Sequence, residues 1–280
     1  MFICIFITLN FYKMPFDLTI YIFALLVGIL LGLIGGVASL LTIPIFVYIC
    51  GFSASLATTY SLFVIGITSA IRLFAYKTDV REPIKNSLSF IMPAFLAVFI
   101  VRMFIFHNIP TKIFQYNELI LTKDKSLILI FAVVTLVVAV SIIIANKELD
   151  KEGENFSNVK NKTMLIGAMT GLLTSFIGIG GGFVIIPTLV FLGKLSMKTA
   201  IITSLAIIAA NAIIGFMGDV VNGIVLNWQF LLSFTTVTMI GVFVGTYLSN
   251  RVSSTRIRIV FGYLLVCLTF IIFVKEVILR

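Results

Sequence analysis

Apolar residues fill this chain in blocks of 20 or more, separated by short polar stretches. Blocks of that length cross a bilayer as helices. The pattern predicts spans near residues 17–36, 54–76, 87–106, 126–146, 163–192, 196–217, 228–248 and 256–279. The expected fold is an all-α polytopic membrane protein of about eight transmembrane helices. A transmembrane β-barrel needs short strands of alternating hydrophobicity, and the period here is wrong for one. Two blocks are longer than a bilayer is thick. The first runs on from 36 to 50, and roughly 34 helical residues would cover about 50 Å against a core of about 30 Å. Such segments must kink, break or re-enter.

The breaks fall at glycines, and the sequence around them occurs twice. Residues 28–72 and 171–215 align without a gap at an offset of 187 − 44 = 143. That register pairs Gly28 with Gly171, Gly35 with Gly178, Pro44 with Pro187, Ser53 with Ser196 and Ser61 with Ser204. Leucine and isoleucine matches are cheap in an apolar chain, whereas glycine, proline and serine held in one register are not. Duplicated halves with matching interrupted hydrophobic segments are the pattern of a secondary transporter and point to its binding site. The organisation expected is an apolar leader over 1–16, a first transmembrane half over 17–147, a polar linker over 148–162 and a second half over 163–280. Met14 offers an alternative start. Residues 107–125, a mixture of apolar and charged side chains, read as a segment lying at the membrane interface.

Composition agrees: 60% hydrophobic, 11% charged, mean hydropathy +1.20. These values exclude a soluble domain and place the chain in the cell membrane as a multi-pass protein. The net charge of +9 is scattered over loops, which is topology selection rather than a nucleic-acid surface. Between the two sides of an eight-span arrangement the basic residues divide ten against eight, so orientation stays open. Three distant cysteines form neither a disulfide framework nor a metal motif.

The second repeat carries the sharper chemistry: Gly178, Gly180, Gly181 and Gly182, then Pro187. Glycines open backbone conformations that a Cβ forbids, and proline removes a helical donor. Free backbone amides in hydrocarbon must be buried or line a cavity, and exposed N–H groups at a half-helix start attract anions. The first copy has Gly35, Gly36, Ser39 and Pro44, with a hydroxyl where the second has glycine. After each proline comes a polar patch: Thr59 and Ser61 in the first copy, Thr203, Ser204 and Asn211 in the second. Hydroxyls and an amide suit an anion that must bind and leave. The alternative is helix packing and interhelical hydrogen bonding. The two glycine breaks are expected to meet near the membrane midplane.

Ionisable residues narrow the mechanism. All eleven carboxylates, Asp219 included, read as loop or span-end residues, so a buried proton relay has no visible members. Arg72 and Arg102 are the deepest cations, and snorkelling to the interface is their expected behaviour. His107 reads as an interfacial loop residue. With one histidine there is no zinc pair and no Ser-His arrangement, so no catalytic set, no metal and no cofactor is expected.

The run Gly178-Ile179-Gly180-Gly181-Gly182, then Pro187 and Thr203-Ser204-Leu205, resembles the sulfite exporter TauE/SafE family of membrane permeases. The first copy, with Gly35-Gly36, Pro44 and Ser61-Leu62, resembles it more loosely, departing at Val37, Ala38 and Ser39. The resemblance implies outward transport of a sulfur-containing anion such as sulfite, thiosulfate or an organosulfonate. The competing readings are an anion channel of the same architecture and a membrane-embedded enzyme. The enzyme would need a nucleophile–base or metal pair inside the spans.

Overall fold

The computed structural model describes residues 18–75, 88–116, 119–144, 160–178, 197–249 and 254–275, with positions 185 and 189 between. Among the described residues the chain forms long α-helices joined by irregular segments. They are α1 (Leu18–Ile34), α2 (Ala54–Ala75), α3 (Leu88–Ile100), α4 (Lys123–Ile144), α5 (Lys160–Ile177), α6 (Met197–Val221), α7 (Trp228–Ser249) and α8 (Ser254–Phe273). Helices α2, α4, α6 and α7, and α3 with the turn that follows it, are long and apolar enough to cross a membrane. Helices α1, α5 and α8 contribute shorter apolar stretches. Large side chains such as Leu26, Val137, Phe243 and Phe270 stand exposed, as expected of a surface solvated by lipid. Residues 148–159 of the polar linker and the leader lie outside the described residues, and residues 160–162 of the linker open α5.

The segment read as interfacial contains an antiparallel β-hairpin, Lys112–Tyr116 (β1) paired with Leu119–Thr122 (β2), with a register irregularity near Phe114. Its run of β-branched and aromatic residues is short and fits a two-stranded ribbon better than a helix.

Close glycine contacts fix how the helices pair. A Cβ on Gly28 would stand 2.1 Å from the Thr238 carbonyl oxygen, and one on Gly32 would stand 2.4 Å from that of Val242. Tyr21 Oη and Ser233 Oγ are 2.9 Å apart on the same seam. Sequence numbers rise together, so α1 and α7 run parallel with their backbones in contact. The same holds for α5 and α3, where Gly167 abuts Phe90 and Gly171 abuts Ala94. Each tight pair therefore takes one helix from either side of the linker. Small residues that let backbones touch are the usual basis of helix association in lipid.

Helices α2 and α6 cross in the opposite sense. Thr59 bonds Asp219, Leu62 lies beside Gly215, and Gly66 lies beside Ala212 and Ile213. Numbers rise on one helix as they fall on the other, so the pair is antiparallel. That register brings Asn211 level with Ile67 and Thr68. Helices α4 and α8 pack together elsewhere in the bundle.

The chain breaks after α1. Gly35 adopts φ 82°, a left-handed conformation, while its N–H still bonds the Leu31 carbonyl at 2.9 Å. A 3-10 stretch, Gly36–Leu41, then leads through one α-turn at Thr42–Pro44 into a π-helical turn, Ile45–Ile49. The start of this segment sits at the Arg72 end of α2, because Arg72 Nη1 donates to the Leu31 carbonyl. Its far end sits at the other end of α2, where Phe46 and Phe52 pack on Tyr60, with ring centroids 5.8 and 5.0 Å from it. Residues 36–49 thus return along α2 as a broken leg, and α1 and α2 run the same way.

Candidate functional site

The α2–α6 crossing gathers half of the residues singled out from sequence that lie within the described regions. Ser61, Thr203, Ser204 and Asn211 are all buried, and so is Thr59. Three of them have atoms with no hydrogen-bond partner among the described residues: Ser61 Oγ, Thr203 Oγ1, and both the oxygen and the nitrogen of the Asn211 amide. A buried polar atom left unpaired costs about 1–3 kcal/mol. Ser204 differs, its hydroxyl donating to the Ile201 carbonyl one turn back at 2.8 Å. In the register of the crossing Ser61 lies toward one end, Asn211 at the middle and Thr203 toward the other end. Unpartnered polar atoms therefore mark the length of the crossing.

The left-handed glycines Gly35 and Gly178 lie at opposite ends of it. Gly35 and Gly36 line a small cleft with Thr68, Ser69, Arg72 and Leu205. Gly178, with φ 74°, ends α5 with its N–H on the Thr174 carbonyl at 2.9 Å, and it abuts Thr58 and Arg102. Thr58 and Arg72 are fourteen residues apart on α2, about 21 Å of helix. The expectation that the two breaks meet at the midplane is therefore corrected for Gly35 and Gly178. Antiparallel crossing of α2 and α6 sends equivalent positions to opposite ends. Gly180, Gly181, Gly182 and Pro187 lie outside the described residues. Ser39 and Pro44 are buried in the returning leg, and the Ser39 hydroxyl donates to the Gly36 carbonyl.

The structure also assembles a charged cluster that the sequence reading passed over. Arg102 and Asp219 form an ion pair, Nη1 to Oδ2 at 2.8 Å, with both side chains fully buried. Arg102 sits in the π-helical turn Val101–Ile105 that follows α3, its guanidinium 4.1 Å from the centre of the Phe106 ring. Asp219 belongs to the last turn of α6 and accepts a second bond from Thr59 Oγ1 at 2.7 Å. Arg102 does not snorkel, because Asp219 supplies a counter-charge inside the protein, where reaching the interface would leave that carboxylate unpaired. Arg72 is buried as well, donating to the Leu31 carbonyl as a second partner beside the Gly35 N–H. His107 stands beside the pair, Nε2 lying 3.8 Å from Asp219 Oδ1. Two charges of opposite sign near the ends of apolar spans were the available signal. Spaced 117 residues apart, they did not read as partners.

Comparison with known proteins agrees with this architecture. The profile of the family described as sulfite exporter TauE/SafE matches residues 20–272. A "Probable membrane transporter protein" of Xylella fastidiosa (strain Temecula1 / ATCC 700964) is 24% identical over 247 residues, 86% of this chain and 88% of that one. A protein of the same description from Haemophilus influenzae is 33% identical over 117 residues, 38% of this chain and 42% of its own. No solved structure matches the chain.

Proposed function

The chain belongs to the sulfite exporter TauE/SafE family, and from that premise we propose that it is a secondary carrier exporting a small sulfur-containing anion: sulfite, thiosulfate or an organosulfonate. The observation that carries this reading is the set of buried, unpartnered polar atoms on Ser61, Thr203 and Asn211 along the α2–α6 crossing. Neutral hydroxyl and amide groups replace part of an anion's water shell without holding it as a fixed counter-charge would. The two halves are read as inverted repeats about an axis through the middle of that crossing, between Ile67–Thr68 and Ala210–Asn211. In support, α2 and α6 hold equivalent places in the repeated sequence and cross antiparallel. Sites in inverted-repeat carriers lie near the midplane at the repeat interface, which is where Asn211 stands. The rigid bodies are the glycine-packed pairs, α1 with α7 and α3 with α5. Alternating access is their rocking around α2 and α6.

Reconstitution into liposomes with labelled sulfite, thiosulfate and a small organosulfonate tests the reading. A carrier gives saturable flux and counter-flow, whereas linear flux without counter-flow would make the protein a channel. Asn211→Leu removes a hydrogen bond to a charged ligand, worth about 1.5–3 kcal/mol, so half-saturation should rise roughly 10- to 150-fold. Unchanged kinetics at matched membrane abundance would place the site elsewhere.

A further inference from the structure

We propose that Asp219 is a proton-binding residue, and that its protonation releases Arg102 to hold the transported anion, so that one proton accompanies each anion. The inference rests on the carrier reading above and adds its coupling ion and a second anion contact. It starts from hydrogen bonds that are not made. Among the described residues Arg102 Nε and Nη2 have no partner although the side chain is fully buried, and Asp219 Oδ1 has none either. Among the described residues Arg102 spends only Nη1, on Asp219 Oδ2 at 2.8 Å and more distantly on Thr58 Oγ1 at 3.4 Å. A guanidinium offers five donors in a fork matched to planar or tetrahedral oxyanions. Here the oxyanion it meets is tethered to the protein. Asp219 stands where a solute anion would bind, and the two cannot share the site while both are charged.

His107 shows where a proton would go. Its Nδ1 lies 3.2 Å from the Arg102 carbonyl oxygen, which only accepts, so in the neutral ring Nδ1 carries the hydrogen and Nε2 is a bare acceptor. That acceptor faces Asp219 Oδ1, another acceptor, at 3.8 Å with no donor between them. A proton taken up at Asp219 Oδ1 converts the pair into donor and acceptor, removes the carboxylate charge and leaves Arg102 with an unmatched positive charge. The anion then binds the guanidinium, and the proton departs when the anion does. The His107 side chain is 20% exposed, the rest of the cluster being buried, and so it is the entry point for the proton. Other charged groups facing the cluster among the described residues lie at the start of α4. Lys123 Nζ donates to the Phe106 carbonyl and stands 4.2 Å from the centre of the Phe106 ring. Asp124 is engaged by Ser55, through its N–H and hydroxyl, at the start of α2. Helix α2 itself presents only Thr58 and Thr59 here, and α5 presents Gly178.

The probe is methanesulfonate, a strong-acid anion whose charge is constant over the working range, so any pH dependence belongs to the protein. In proteoliposomes spanning roughly pH 5 to 8, wild-type uptake should rise as the outside is acidified, with the interior acidifying in step. Asp219→Asn should lose both the pH dependence and the accompanying proton movement. That variant strands a buried cation and can fail to accumulate, so the double variant Arg102→Gln/Asp219→Asn, which removes both charges, is measured beside it. The double variant should carry methanesulfonate slowly and without pH dependence. A double variant keeping the wild-type pH profile overturns the proposal, as does wild-type flux indifferent to pH. Infrared difference spectra of the wild type on acidification supply an arm that needs no transport: a carboxylic-acid C=O band should appear and be missing from both variants. Its persistence in the variants, or absence in the wild type, also overturns the proposal. A wild type that shows the band but moves no anion sinks the carrier reading instead.

Discussion

At each end of α2 a left-handed glycine meets a buried arginine, yet the two assemblies differ. At one end Arg72 donates to the Leu31 carbonyl, which the Gly35 N–H also reaches, so the arginine adds a second bond to the last turn of α1. At the other end Arg102 meets a carboxylate, Asp219, with Gly178 pressed against its Nη2. The first arrangement reinforces a helix end. The second brings together two charges whose bonding is incomplete. Similar parts stand at both ends, and the carboxylate is present at one of them.

Glycine replacements should break the comparison most sharply. A methyl at Gly178 would lie 2.3 Å from Thr58 Cβ and 2.9 Å from Arg102 Nη2, in a conformation with φ 74°. Overpacking and left-handed strain together should cost about 2–5 kcal/mol in Gly178→Ala. At Gly35 the nearest atom is the end of the Arg72 side chain at 3.3 Å, so Gly35→Ala should cost only the left-handed term, about 1–2 kcal/mol. Thermal unfolding in detergent measures both, and equal losses would mean that the two ends are packed alike.

Replacing each arginine by lysine sharpens the contrast. Arg102→Lys loses the guanidinium stacked on Phe106, a desolvated cation–π contact worth about 2 kcal/mol. In Arg72→Lys an ammonium can still meet the Leu31 carbonyl, and the loss should stay below about 1.5 kcal/mol. Smallest of all is the difference between two serines that are equivalent in the repeat. Ser61→Ala removes an unpartnered hydroxyl and should weaken anion affinity by about 1 kcal/mol, roughly fivefold, with little change in stability. Ser204→Ala removes only a bond within its own helix and should leave flux kinetics unchanged. Affinity losses of equal size would undo the distinction between them.

Much of this was legible in the chain. The glycine positions that end α1 and α5 stood out because their conformation excludes other side chains, and the buried polar patch on α2 and α6 stood out against apolar neighbours. Direction was not legible. A repeat at offset 143 says which segments correspond but not whether the second is inverted, because that depends on whether residues 36–49 return along α2 or continue outward. The sequence reading therefore placed the two breaks together when Gly35 and Gly178 lie at opposite ends. Arg102 and Asp219 were misplaced for a related reason. Taken singly, each lies near the end of a span where a charge reaches water, and only the packing of α3 and its π-turn on α6 makes them partners. The hairpin β1–β2 read as an interfacial segment because apolar and charged residues alternate too briefly there to separate a ribbon from a surface helix.

The seam between α1 and α7 has a consequence for how the protein is made. Gly28 and Gly241 lie 241 − 28 = 213 residues apart, yet their backbones touch. At roughly 5–20 residues per second, α1 waits about 10–40 s in the membrane before its partner leaves the ribosome. Its sequence, LTIYIFALLVGILLGLI, carries no charge and is comfortable alone in lipid. The seam therefore closes long after α1, the first of the described helices, is synthesised, and a chain truncated before α7 would leave α1 inserted with its glycine face unmatched.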